Sequence, residues 1–265
     1  MRRLLAAVMV VLGWWAVVWA GEFKRVVPGL ELGWWEAHES VSAGGGRVVV
    51  VRIDPQRFRF KVLVAKGEGL SAGAWLERTG AVVVFNAGLH APDGSYLGLV
   101  VSGGKVMGRM VKGMEGLFVA EPRVRGLPLA RVIDLRYAGF DLQANPYQEV
   151  AQSLMLLDRF GQLRVRRSGR VANRTLVGED RQGWIVVMVT EGAHGLWELA
   201  QELKGSGLGL REVMCMDGGR ESQLELRVGG VHYSHYGKAG GQIQLPWPPA
   251  KLPVAIGVFP REEGD

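Results

Sequence analysis

Short apolar runs, rich in valine and closed by glycine or a polar residue, leave this chain little choice but β structure. Arg47 to Ile53 is nearly continuous valine. Ala81 to Phe85 leads into Asn86, Ala87 and Gly88, and Trp184 to Thr190 leads into Glu191. Glu212 to Met216 leads into Asp217, Gly218 and Gly219. Runs of this length, bounded by turn signals, fit strands buried on both faces. Phe58, Phe60, Val62 and Val64 alternate instead with Arg57, Arg59 and Lys61, the pattern of a half-exposed strand. Glycine, at 39 of 265 residues, supplies the turns that many short strands need.

Two helices interrupt this pattern. Ser71 is placed to cap a helix from Ala72 to Thr79, which Gly80 stops. Leu196, Leu199, Ala200 and Leu203 keep helical spacing and predict a helix from Gly195 to Lys204. Leu97 to Val101 and Lys105 to Gly108 read as a hairpin. Further strands are predicted at Gln152 to Leu157, Leu163 to Arg166, Val171 to Val177 and Val254 to Phe259. Ser222 to Val228 is read as the hairpin partner of the strand before Asp217, and His232 to Gln244 as a polar connection. Residues 109–150 give one strand signal, at Val132, Ile133 and Leu135. No repeat and no long linker divides the chain. The expected fold is therefore one α+β domain at residues 47–260, a β-rich mixed sheet with few helices, after a lead-in at 21–46.

Residues 1–20 have the pattern of a cleavable signal peptide. Arg2 and Arg3 precede an apolar run from Leu4 to Trp19, and Val18-Trp19-Ala20 gives a small-x-small end. A secreted or periplasmic protein is expected. The rival is an uncleaved signal anchor with Trp14, Trp15 and Trp19 at the membrane interface, the only membrane association foreseen. The net charge of +6 contains no Lys/Arg block, which argues against a nucleic-acid partner. No phosphate-binding or dinucleotide glycine pattern follows a strand, so no cofactor is expected. Cys215 is the only cysteine and lies within an apolar run, where it reads as a small buried hydrophobe.

The chemistry is expected around Asp217. A buried strand delivers this carboxylate to an edge, and Gly218 and Gly219 leave bare backbone beside it. Successive N–H groups in such a turn can cradle an anion, which suggests a sugar or phosphate site. An Asp-Gly turn with no ligand is the alternative.

Three segments together resemble the phosphodiester glycosidase family. The first is Phe85-Asn86-Ala87-Gly88 with Pro92-Asp93-Gly94-Ser95 and Gly98-Leu99. The second runs from Gln152-Ser153 through Asn173-Arg174-Thr175 and Gly178 to Gly183 and Thr190-Glu191. The third joins the Leu196–Leu203 segment and Gly207-Leu208 to Met216-Asp217-Gly218-Gly219 and Ser222. The resemblance covers roughly residues 47 to 259. Arg220 and Glu221 depart from the family's small residues, His90 from its usual Phe, and Leu154-Met155 from its usual Gly-Pro.

The resemblance implies hydrolysis of a sugar from a glycosyl-1-phosphodiester, a carbohydrate substrate. Such a reaction needs a carboxylate near the sugar carbon and donors or cations near the departing phosphate. Asp217 is the first choice of catalytic carboxylate, with Glu191 as its partner and Glu221 as a rival for that place. Arg174 and the Gly218-Gly219 backbone would hold the phosphate, Asn86 would orient the sugar, and Ser222 would contact substrate or fix the turn. His90, His194, His232 and His235 lack a zinc-protease pattern, and no metal site is expected. Tyr233, Tyr236 and Trp247 are read as a sugar-stacking rim or as buried aromatics. Two other classes stand beside the enzyme: a glycan-binding protein without turnover, and an anchored structural protein of the envelope.

Overall fold

Two antiparallel sheets face each other, and a helix covers the outer side of each. The computed structural model describes residues 23–37, 46–91, 93–238 and 248–262. The expected signal peptide, Pro92 and Trp247 lie outside the described residues. In the large sheet the spatial order is Lys24–Val27, Leu30–Glu36, Arg47–Ile53, Ile185–Thr190, Thr175–Asp180, Leu210–Cys215, Tyr147–Leu157, Gly116–Pro122 and Ala130–Asp134. The hairpin Leu99–Ser102 and Lys105–Gly108 joins it at Tyr147–Leu157. In the small sheet the order is Val231–Tyr236, Gln223–Val228, Val83–Asn86, Val254–Pro260 and Phe58–Val64.

This layering explains the unbroken valine runs. Val49, Val51, Ile53, Met214 and Met216 of the large sheet meet Phe60, Phe85, Leu224 and Ile256 of the small one. On the large sheet's other face, Val48, Val50, Val213 and Cys215 pack with Leu199, Ala200 and Leu203 of the helix Leu196–Gly205. Both faces are dry, so alternation disappears from the sequence. The outer face of the small sheet carries Val84 and Ala255 against Ala72, Trp75 and Leu76 of the helix Ala72–Thr79. That helix has the predicted ends: Ser71 accepts a hydrogen bond from the Ala74 N–H, and Gly80 closes it at φ +72°. Cys215 is buried, and loss of solvation pushes its thiol up to about 12, so it behaves as a core residue.

The structure corrects several strand assignments. Ser222 to Val228 is no hairpin partner of the Asp217 strand. Gln223–Val228 pairs with Val83–Asn86 and Val231–Tyr236, in the other sheet. The stretch read as a polar connection therefore begins with an edge strand. Leu163 to Arg166 forms only a bridge from Leu163 to Leu157, because Arg164 turns inward to bind Asp134. The predicted strand Val171 to Val177 breaks at Asn173 and Arg174, whose side chains bond across to the segment around Thr190–His194. Gly116–Pro122, buried at its centre, was not foreseen.

One buried carboxylate makes the stability pH-dependent. Glu149, 5% exposed, accepts hydrogen bonds from the N–H groups of Val62 (2.8 Å) and Gly103 (3.0 Å). Burial outweighs those donors and pushes its pKa from 4.5 up to about 7. The folded state thus holds this proton more tightly than the unfolded chain does. The stabilisation is complete below pH 4.5 and lost as pH rises through 7. It is on the order of 3 kcal/mol in all. Urea midpoints from pH 4 to 8 should fall more steeply for the wild type than for Glu149→Gln. Parallel profiles would remove Glu149 as the cause.

Candidate active site

Asp217 stands where the chain leaves one sheet for the other. Its strand, Leu210–Cys215, belongs to the large sheet, and Gln223–Val228 belongs to the small one. The six residues from Asp217 to Ser222 make the crossing, with a single tight turn at Gly219–Glu221. The Asp217 N–H donates to the Gly88 carbonyl (2.6 Å), which ties the crossing to the end of Val83–Asn86. Two glycines are needed for this path. A side chain on Gly218 would place its Cβ 2.7 Å from the Asn173 carbonyl oxygen, and Gly219 adopts φ +68°.

The Asp217 carboxylate is held from two sides. Oδ1 accepts from the Gly218 N–H (2.9 Å), and Oδ2 accepts from the His90 N–H (3.0 Å). His90 Nδ1 lies 3.1 Å from the same Oδ2. The Asp217 side chain keeps 23% exposure and lines a cavity of about 340 Å³. His90, Ala91, Gly94, Glu221, Lys251 and Pro253 complete the lining. Two carboxylates and one ammonium therefore share the cavity. Lys251 also pairs with Glu68 at the surface.

The remaining sequence candidates fall in different places. Asn86 is fully buried, and both ends of its amide are engaged. Nδ2 donates to the Asp217 carbonyl (2.9 Å), and Oδ1 accepts from the Gln223 N–H (3.1 Å), so Asn86 clasps both ends of the crossing. Ser222 is also buried, its Oγ 2.9 Å from Thr175 Oγ1. The Gly218 N–H turns to Asp217's own carboxylate and the Gly219 N–H to the Asn173 carbonyl, so these two donors brace the turn. Arg174 lies behind it. Its Nε donates to the His194 carbonyl (2.9 Å) and one terminal nitrogen to the Arg170 carbonyl (3.0 Å). Its other terminal nitrogen would be 3.3 Å from a Cβ on Gly218. Burial pulls the Arg174 guanidinium below its ordinary pKa, while the nearby Asp217 charge opposes this.

Glu191 is turned away from this group. It accepts from the Tyr233 hydroxyl (3.2 Å) and faces Arg47 at 3.7 Å. Tyr236 donates to Glu225, not to the cavity, and His232 faces the same Glu225. Among the described residues, no group of three or more His, Cys, Asp or Glu is placed to hold a metal ion. Sequence reasoning did not select His90 or Lys251 for the site. His90 had one signal, its place at the family's usual Phe. Lys251 had none, since the fold alone brings it beside Asp217.

A family model described as phosphodiester glycosidase matches residues 79–259. The chain belongs to the phosphodiester glycosidase family. That span contains Asn86, His90, Arg174, Asp217, Glu221 and Lys251. Solved structures share the phosphodiester glycosidase fold seen here. One is the catalytic domain of zebrafish N-acetylglucosamine-1-phosphodiester alpha-N-acetylglucosaminidase, auto-inhibited by its pro-peptide. It has a TM-score of 0.63 at 16% identity, covering 91% of this chain and 87% of that one. A hypothetical protein from Synechocystis gives 0.56 at 16% identity, over 91% of this chain and 64% of its own. A protein described as exported, from Burkholderia pseudomallei, gives 0.55 at 14% identity, over 83% and 75%. At these identities the likeness is one of fold. No curated protein sequence matches the chain. Among the described residues, no helix is long and apolar enough to cross a membrane.

The clasp at Asn86 gives a direct expectation. Asn86→Ala strands a carbonyl and an N–H at the crossing, which should cost about 1–3 kcal/mol of stability. Urea unfolding of the variant beside the wild type checks this. Unchanged stability would mean that water satisfies the two groups.

Proposed function

We propose that this protein is an exported hydrolase that removes a sugar from a glycosyl-1-phosphodiester of envelope or extracellular polysaccharide. The observation that carries the reading is the cavity at the sheet crossing, where Asp217, Glu221 and Lys251 converge. In the reaction the bond from the sugar's C1 to the phosphate oxygen breaks. Water adds to C1, and its proton leaves through a carboxylate. Positive charge develops at C1, which Asp217 stabilises or relieves by attack. The departing phosphate is already a weak base, and Lys251 with Arg174 behind it favours its charge. Glu221 replaces Glu191 as the partner carboxylate, because it shares the cavity with Asp217 and Glu191 is engaged by Tyr233 and Arg47. Asn86 acts by fixing Asp217.

The test is release of reducing sugar from a panel of sugar-1-phosphodiesters. N-acetylglucosamine-1-phosphodiester leads the panel, since the zebrafish protein of this fold is named for it. Glu221→Gln should slow release by about tenfold or more, and Glu191→Gln should change it little. The reverse ranking would return Glu191 to the chemistry. Absence of turnover across the panel, with retained binding of an anionic glycan, would favour the binding protein, the reading prompted by Arg220 and Glu221. The intact mass of protein recovered outside the cytoplasm should correspond to residues 21–265. A mass that includes residues 1–20 would favour the anchored form.

A further inference from the structure

We propose that the end of the molecule remote from Asp217 carries a second carbohydrate site, one that binds an anionic segment of a sugar chain. Three turns meet there. Leu157 lies opposite Val213, and Asp180 opposite Leu210, so the turns after Leu157 and Asp180 gather at the start of the Asp217 strand. The Gly207–Gly209 segment, after the helix Leu196–Gly205, closes the group. They enclose a cavity of about 450 Å³, larger than the one at Asp217. The length of the strand puts roughly 20 Å between the two.

The lining has the chemistry of an anionic sugar site. Phe160 is 66% exposed on its rim, and Tyr137, 41% exposed, meets it edge to face at 5.2 Å. The exposed Phe160 ring, braced by Tyr137, offers a flat apolar face that matches the C–H face of a pyranose. Cations surround it. Arg159 forks onto the buried Glu212 (2.8 and 3.1 Å) and lies 5.7 Å over the Tyr137 ring, so most of its charge is spent inside the protein. Arg181 and Lys204 line the same cavity and enter no ion pair among the described residues. Their charge is available to a phosphate or carboxylate on the sugar. Leu203 and Leu208 form an apolar floor, and the glycine backbone at Gly207 and Gly209 leaves polar groups at its edge. A concave surface that joins an exposed ring, two leucines and unpaired cations suits a charged sugar better than a free ion. Holding a polymer here would raise its effective concentration at Asp217.

The site is tested by binding alone, so it stands or falls separately from turnover. The full-length exported protein is titrated by calorimetry, in 150 mM salt, with tetragalacturonate as an anionic probe. Maltotetraose is the neutral control and inorganic phosphate the sugar-free one. The expected result is saturable binding of tetragalacturonate, with weaker binding of both controls. Arg181→Gln with Lys204→Gln should weaken it about tenfold or more, as should Phe160→Ala, while Asp217→Asn leaves it unchanged. These side chains lie at a surface cavity, and unfolding curves that overlay the wild type show that the fold survives. Three outcomes overturn the proposal: no binding of tetragalacturonate, binding that the Arg181, Lys204 and Phe160 changes leave intact, or phosphate bound as tightly as the sugar.

Discussion

Replacing Asp217 by Asn should lower turnover of a sugar-1-phosphodiester by about a thousandfold with little change in unfolding temperature. The size is of polar nature and not of shape, since the two side chains nearly coincide in volume. In the wild type both carboxylate oxygens accept, Oδ1 from Gly218 N–H and Oδ2 from His90 N–H. An amide can offer only one acceptor to that pair, so its NH2 must face a donor or rotate away. In the proposed reaction the variant therefore loses the negative charge set against the sugar carbon, together with the placement of the group. The backbone crossing is kept, because the Asp217 N–H still bonds to Gly88 and Asn86 still holds the Asp217 carbonyl. His90→Phe is the informative companion. It keeps the backbone donor to Oδ2 and a ring in place but removes the ring nitrogen at Oδ2, so turnover should fall far less than in Asp217→Asn. Unchanged turnover in Asp217→Asn would take Asp217 out of the chemistry and leave it a turn residue.

Local signals were readable wherever neighbours in sequence decide the structure. Ser71 and Gly80 bound their helix by capping bonds made within a few residues, and the valine runs marked strands with two dry faces. The place of Asp217 at a partly exposed turn was readable because a carboxylate after an apolar run, followed by two glycines, can hardly be core. The partners of those elements were not readable. The chain after Gly219 could return beside its own strand or cross to another sheet, and both choices bury Leu224 and Leu226. The crossing is decided by Asn86 and Gly88, more than a hundred residues away in sequence, which bind its two ends. For the same reason Asn86 looked like a sugar ligand: a polar residue ending a buried strand carries one signal for both roles. Lys251 reaches the cavity only because the last strand lies beside Val83–Asn86. That Glu221, and not Glu191, lines the cavity with Asp217 was legible only once the path of the crossing was known.

Arg164→Met should be the most damaging single change to stability, at about 3–5 kcal/mol. The Arg164 side chain is 3% exposed and binds Asp134, which is fully buried, and Glu115. Asp158, equally buried, lies 4.0 Å away. Methionine fills much of the volume but leaves Asp134 and Asp158 as buried carboxylates without their cation. Their other bonds, from Arg136 N–H to Asp134 and from the Phe160 and Gln162 N–H groups and the Tyr137 hydroxyl to Asp158, stabilise charge without cancelling it. Native stability of a domain is only about 5–15 kcal/mol, so the midpoint of thermal unfolding should fall by roughly 6–20 °C. The origin of the loss can be separated from simple repacking by a double change. If stranded charge is the cause, Arg164→Met combined with Asp134→Asn should recover part of the stability lost by Arg164→Met alone. An additive or worse double variant would assign the loss to packing. The same hub has a functional reach, because Asp158 shapes the turn that carries Phe160, and Tyr137 stands between Asp158 and Phe160. Well below its unfolding temperature, Arg164→Met should therefore bind tetragalacturonate more weakly while cleaving a small sugar-1-phosphodiester at close to the wild-type rate. Equal losses in both would mean that the two ends of the Asp217 strand are not independent.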